Sequence, residues 1–114
     1  MQPAKFRHLK RLVLVDCNLS ELVLDSLDCL EMLDVRRNKL TSLPHAIGHC
    51  RRLRTLRVAS NDLRQLPDRF LSSLRRLVAF DCSFNKLKRL PTHIVQCVEL
   101  TILEVSERNL SVSK

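Results

Sequence analysis

Three Asp-Cys dipeptides, Asp16-Cys17, Asp28-Cys29 and Asp81-Cys82, set a carboxylate beside a thiol. A nucleophilic cysteine needs a neighbour that favours the thiolate, such as a cation or an imidazolium. An adjacent carboxylate does the reverse and raises the thiol pKa. Metal chemistry has two candidate groups: His45, His49 and Cys50, and later His93 with Cys97. Zinc normally takes four ligands in tightly spaced pairs, which neither group supplies. No Ser-His-Asp set, phosphate-binding loop or paired-carboxylate cleft stands out. Two N-x-S sequons, at Asn18 and Asn109, matter only behind a secretory leader. The residues therefore nominate no catalytic group, no metal and no cofactor, and the expectation is a protein that is not an enzyme.

The elements that position these side chains are set by size and patterning. The chain has 114 residues, of which 45% are hydrophobic, enough for one domain with a modest core. No apolar run approaches the roughly 20 residues of a membrane span. The opening "MQPAKFRHLKRL" has basic residues but no apolar stretch behind them, unlike a signal peptide. The five cysteines, Cys17, Cys29, Cys50, Cys82 and Cys97, are odd in number and unpaired in spacing. That points to a reducing compartment, cytoplasmic or nuclear, and to a protein that is not secreted. The net charge of +8, from 20 basic and 12 acidic residues, favours acidic partners.

Aligned on leucine, the chain repeats. The segments are "LKRLVLVDCNL" (9–19), "LEMLDVRRNKL" (30–40), "LRTLRVASNDL" (53–63), "LVAFDCSFNKL" (77–87) and "LTILEVSERNL" (100–110). In the second copy Leu30, Leu33, Val35 and Leu40 point inward. Asn38, Asn61 and Asn85 take the place where an amide can bond buried turn backbone. Cys17 stands there in the first copy. In the fifth copy the place falls on Arg108, with Asn109 one residue late. The second halves "LTSLPHAIGHC", "LRQLPDRFLSSL" and "LKRLPTHIVQC" share L-x-x-L-P-x-x-(I/F), with Pro44, Pro67 and Pro91 turning the chain and Ile47, Phe70 and Ile94 plugging the core. The first copy lacks the proline. Cys50, Cys82 and Cys97 fall on inward positions, as small buried hydrophobes.

This pattern resembles the leucine-rich repeat, L-x-x-L-x-L-x-x-N/C-x-L, over nearly everything from Leu9 to Leu110. The proline-bearing second halves are similar to the 23-residue intracellular class found in Ras-pathway scaffolds and polarity adaptors. The resemblance implies an α/β repeat solenoid, with about five short parallel strands forming a concave sheet and an irregular or short-helical convex side. It would be a single domain, residues 1–114, with repeats starting near 9, 30, 53, 77 and 100. Neither end carries the cysteine-clustered cap of extracellular members. The chain is therefore expected to be a fragment of something larger, to dock on something larger, or to self-associate through its uncapped ends.

The register also names a surface. The concave rows hold Arg11, Met32, Thr55, Ala79 and Ile102; then Val13, Asp34, Arg57, Asp81 and Glu104; then Val15, Arg36, Ala59, Ser83 and Ser106; then Asp16, Arg37, Ser60, Phe84 and Glu107. Arg57 is expected between Asp34 and Asp81. Strand alternation alone would bury Phe84 beside Phe80 and Cys82. The register instead makes it an exposed apolar group in a polar row. The expected partner-binding residues are Arg36, Arg37, Arg57, Ser60, Asp81 and Phe84. A basic edge gathers Arg51, Arg52, Arg64, Arg75, Arg76, Lys88 and Arg89. Phe84 is the one candidate for base stacking, which argues against reading of nucleic acid.

The function expected is a protein-protein interaction module of an intracellular scaffold or adaptor, its partner seated on the concave sheet. An alternative is a substrate-recognition or regulatory segment of a larger enzyme complex: a ubiquitin-ligase receptor, kinase or phosphatase. A third reading is polyanion or membrane-surface binding through the basic coils.

Overall fold

The architecture, taken from a computed structural model, is described for residues 6–25, 27–67, 69–90 and 92–106. The tripeptide at the centre of each repeat forms a strand: β1 (Arg11–Val13), β2 (Met32–Asp34), β3 (Thr55–Arg57), β4 (Ala79–Asp81) and β5 (Ile102–Glu104). The five strands make one parallel sheet in chain order. The register follows the repeat, so Leu12, Leu33, Leu56, Phe80 and Leu103 form one row across it. Parallel neighbours need a crossover, and the convex side supplies it. It carries 3-10 helices at His45–His49 and Thr92–Gln96 and a short α1 (Phe70–Ser73) packed against both. Pro44, extended at φ −68° and ψ 147°, leads into the first of these. Between the first two coils no helix forms among the described residues, where the sequence lacks the proline.

The leucines explain why the coils stack. Leu30, Leu33, Val35, Leu40, Leu53, Leu56, Leu63 and Leu77 are buried, in one continuous core. Each fully buried leucine contributes about 1.5–3 kcal/mol, realised only when the next coil covers it. Phe80 is buried edge-to-face on Phe70, with ring centroids 6.3 Å apart. Cys50, Cys82 and Cys97 fill small core spaces, as expected. Ile47 and Phe70 are buried plugs, but Ile94 is only half-buried. It lies in the last described convex segment, which has a described convex neighbour on one side only.

Asparagine binds the second, third and fourth coils each to the one before it. Asn61 accepts the Leu40 amide at 3.0 Å and donates to the carbonyls of Val35, Val58 and Ala59 at 3.0, 3.1 and 3.3 Å. Asn38 does the same between the first two coils and Asn85 between the third and fourth. Cys17 does not substitute for them. It is exposed, its amide donates to Asn38 Oδ1 at 2.9 Å, and its thiol lies 3.4 Å from the Val15 carbonyl. In the first coil no described coil stands outside the turn for a side chain there to hold. Pro91 and the fifth turn, with Glu107, Arg108, Asn109 and Leu110, lie outside the described residues.

Candidate functional site

The strands end in a turn that repeats as closely as the sheet does. The last concave row, Asp16, Arg37, Ser60 and Phe84, has φ of 58°, 57°, 58° and 55°. Its amides face the next coil: Asp16 donates to the Arg36 carbonyl at 3.0 Å, Arg37 to Ala59 at 3.1 Å and Ser60 to Ser83 at 3.0 Å. Phe84 instead donates to the Ser106 hydroxyl at 3.3 Å. Left-handed backbone is disfavoured for any residue with a Cβ and is an outlier for a bulky one. The conformation throws these side chains up from the sheet. Phe84 is 72% exposed while Phe80 and Cys82 are buried, so the register and not strand alternation places it.

The charged row departs from the expected ladder. The register does set Arg57 between Asp34 and Asp81. Yet Asp34 is buried at 2% exposure, beneath Arg36. Arg36 donates to both Asp34 oxygens at 2.8 Å, a two-point contact made two residues along the chain. Arg57 reaches the same carboxylate only at 4.0 Å, and no ion pair joins it to Asp81 among the described residues. Asp81 is held by its own downstream neighbour in the same manner, accepting from the Ser83 amide at 3.1 Å and hydroxyl at 2.6 Å. The hydrogen bond to Asp34 raises the Arg36 pKa, aided by the more distant Asp81 and Glu104. Arg37 and Asp16 are 3.6 Å apart and both exposed, a pair worth about 0–1 kcal/mol.

These residues enclose an open depression of about 420 Å³ on the concave face. Arg36, Arg37, Ser60, Asp81 and Phe84 line it, so five of the six expected contact residues come together, while Arg57 stands aside. Val15, Ala59, Ser83 and Glu104 complete the wall. The repeat rows contain all four; their polarity alone gave no reason to prefer them. Asp81 and Glu104 are the lining acids without a cationic partner among the described residues. The site thus offers an exposed aromatic ring beside two carboxylates that form no ion pair among the described residues.

The basic residues fall into two separate groups. Arg51, Arg52, Arg75 and Arg76 are exposed in turns before the strands, whereas Arg64, Lys88 and Arg89 are exposed beyond the turns that follow them. Among the described residues no three of His, Cys, Asp and Glu come close enough to hold a metal ion. No described helix is long and apolar enough to cross a membrane.

The family model for the leucine rich repeat matches residues 7–63. Among curated protein sequences none matches the chain. Solved structures do. The ectodomain of the receptor kinase SOBIR1 from Arabidopsis thaliana superposes with a TM-score of 0.80 at 29% identity, over 100% of this chain and 66% of that one. The leucine-rich repeat domain of APL1B superposes at 0.81 with 22% identity, over 97% of this chain and 35% of that one. The functional domain of InlJ from Listeria monocytogenes superposes at 0.70 with 18% identity, over 85% and 20% respectively. The chain therefore spans only a part of each.

Proposed function

The chain belongs to the leucine-rich repeat family, and from that premise we propose that it is a protein-interaction module whose partner seats on the concave depression. Domains of this family are typically binding modules, not enzymes, and generally engage other proteins. The observation that carries the specific reading is Phe84. A large apolar side chain stands 72% exposed, on left-handed backbone, at the rim of a polar depression. Folding gains nothing from such a residue there, whereas exposed aromatics flanked by arginine are the usual anchors of interfaces. The ring would take an apolar group of the partner, and Asp81 with Glu104 a cationic one beside it.

We assign the module to an intracellular scaffold or adaptor. All five cysteines are unpaired, and three are spent as core filling, which suits a reducing compartment. A second reading draws on the likeness to the SOBIR1 ectodomain: a recognition segment of a longer chain whose catalytic part lies elsewhere. The test is affinity purification with the wild type and with Phe84→Ala and Ser60→Arg variants. A partner recovered by the wild type and lost from both variants, at unchanged melting temperature, supports the concave site. Full retention by both removes it. The sequence flanking this chain in its gene separates the two readings.

A further inference from the structure

Each strand is entered through the same turn. The leading leucine donates its amide to the carbonyl three residues back: Leu9 to Phe6, Leu30 to Leu27, Leu53 to Cys50, Leu77 to Leu74 and Leu100 to Cys97, at 2.9–3.2 Å. Five copies of one backbone therefore present five residue pairs along one edge of the sheet. Three pairs are mixed or uncharged in part: Arg7-His8, Asp28-Cys29 and Val98-Glu99. The two central pairs, Arg51-Arg52 and Arg75-Arg76, are doubly cationic and stacked on adjacent coils, about 4.8 Å apart at the backbone. Arg54, two residues after Arg52, joins them. Its carbonyl accepts the Val78 and Ala79 amides of the next coil, which fixes the spacing between the two coils.

Arg52, Arg54 and Arg76 converge on a depression of about 440 Å³, bounded by Glu31 and Glu99. All five arginines are exposed, and none forms an ion pair among the described residues. Arg36, Arg37 and Arg57 of the concave face, by contrast, each have a carboxylate within reach. Planar guanidinium groups crowded without a counterion repel one another, a cost offset when carboxylates arrive to bridge them.

We propose that this arginine rim is a second docking surface, separate from the concave depression, and that it takes a short acidic segment of a protein partner. Its width selects the occupant. The cationic stretch is two coils wide and is closed by Glu31 and Glu99, which would repel a continuing line of phosphates. No aromatic side chain stands in the turn pairs or the depression to stack a base. A few carboxylates on an extended peptide, about 6.6 Å apart at alternate residues, match it.

The experiment uses the intact chain and three probes: a short poly-glutamate peptide, oligothymidylate of equal charge, and phosphatidylserine vesicles. Arg52→Glu/Arg76→Glu is compared with Arg64→Glu/Arg89→Glu, which changes net charge equally. Expected is a loss of peptide affinity of about tenfold or more in the rim variant against about twofold or less in the control, with superimposable thermal melts. Equal losses, no peptide binding by the wild type, or tighter binding of oligothymidylate or vesicles than of peptide would each overturn the proposal. If the glutamate variant does not fold, Arg52→Gln/Arg76→Gln decides by the same comparison.

Discussion

Arg36 grips Asp34 through both carboxylate oxygens at 2.8 Å, while Arg57, its register neighbour on β3, stops at 4.0 Å. The contact two residues along the strand defeats the one across it because Arg36 lies over the carboxylate and covers it. Asp34 is thereby removed from the binding surface and becomes part of the fold. Removing the Arg36 side chain leaves the buried carboxylate with the backbone amide of residue 36 at 3.2 Å and Arg57 at 4.0 Å, and no close cation, so Arg36→Ala should cost about 1–3 kcal/mol in urea unfolding. Arg57→Ala, at a half-exposed site, should cost under about 1 kcal/mol. Equal losses from the two would mean that both guanidinium groups share Asp34.

The same measurement addresses the asparagine rungs. Asn61→Ala would leave the Leu40 amide without its acceptor and would take one of two donors from the carbonyls of Val35, Val58 and Ala59, which keep Asn38, Asn85 and the Arg37 amide respectively. A buried orphan of this kind costs about 1–3 kcal/mol, so the variant should lose at least about 1 kcal/mol. Asn61 joins two coils, and its loss should also lower the cooperativity of unfolding, read as a smaller dependence on urea. A loss under about 0.5 kcal/mol would mean that water replaces the amide.

Phe84 carries opposite demands for folding and for binding. Its ring is exposed and its φ is 55°, so truncation removes little packing. Asparagine tolerates left-handed backbone, and Phe84→Asn should keep or raise stability, by up to about 1 kcal/mol, while abolishing partner capture. A destabilised Phe84→Asn would show that the ring packs on the fold after all.

How far the sequence spoke differs from residue to residue. Phe84 was legible as exposed because Asp16, Arg37 and Ser60 share its place in the repeat, and three polar residues at one position fix its orientation. The left-handed turn was not legible. It is usually announced by glycine or asparagine, and here the position holds Asp, Arg, Ser and Phe. The partner of Asp34 was not legible either, since the pattern places Arg36 and Arg57 equally near and only side-chain geometry separates them. The leucine periodicity was sufficient for the sheet, because one register alone buries every repeat at once.

The buried thiols give a pH signature. Burial raises Cys50 from 9.0 to about 11 and Cys82 to about 12, assisted by Asp28 and Asp81 respectively, and burial alone raises Cys97. Below about pH 9 these thiols are protonated in both folded and unfolded chains, and their contribution is fully present. As pH rises past 9 the unfolded chain releases protons that the folded chain retains, so stability falls through the window up to about pH 11–12. With no tyrosine in the chain, comparison with Cys50→Ala and Cys82→Ala isolates the effect. Labelling by iodoacetamide should reach Cys17 first and Cys29 more slowly, and Cys50, Cys82 and Cys97 only on unfolding. Rapid labelling of Cys82 in the folded protein would contradict its place in the core.

Gly48 reverses the usual rule that glycine marks a backbone need. Its φ is not positive, while every described positive φ is carried by a residue with a Cβ. A Cβ at Gly48 would lie 3.7 Å from Phe70 Cα and 3.9 Å from Phe70 Cβ, ordinary contact distances. Gly48→Ala should therefore stabilise the fold by about 0.4–1 kcal/mol, mainly by restricting the unfolded chain. The position is buried on the first 3-10 helix where that helix packs against α1, so larger side chains have no such room. Gly48→Leu should cost about 1–3 kcal/mol through overpacking against Phe70. Thermal melts of the two variants should bracket the wild type, alanine above and leucine below. If alanine also falls below it, the gap between the convex segments of the second and third coils is tighter than these distances indicate.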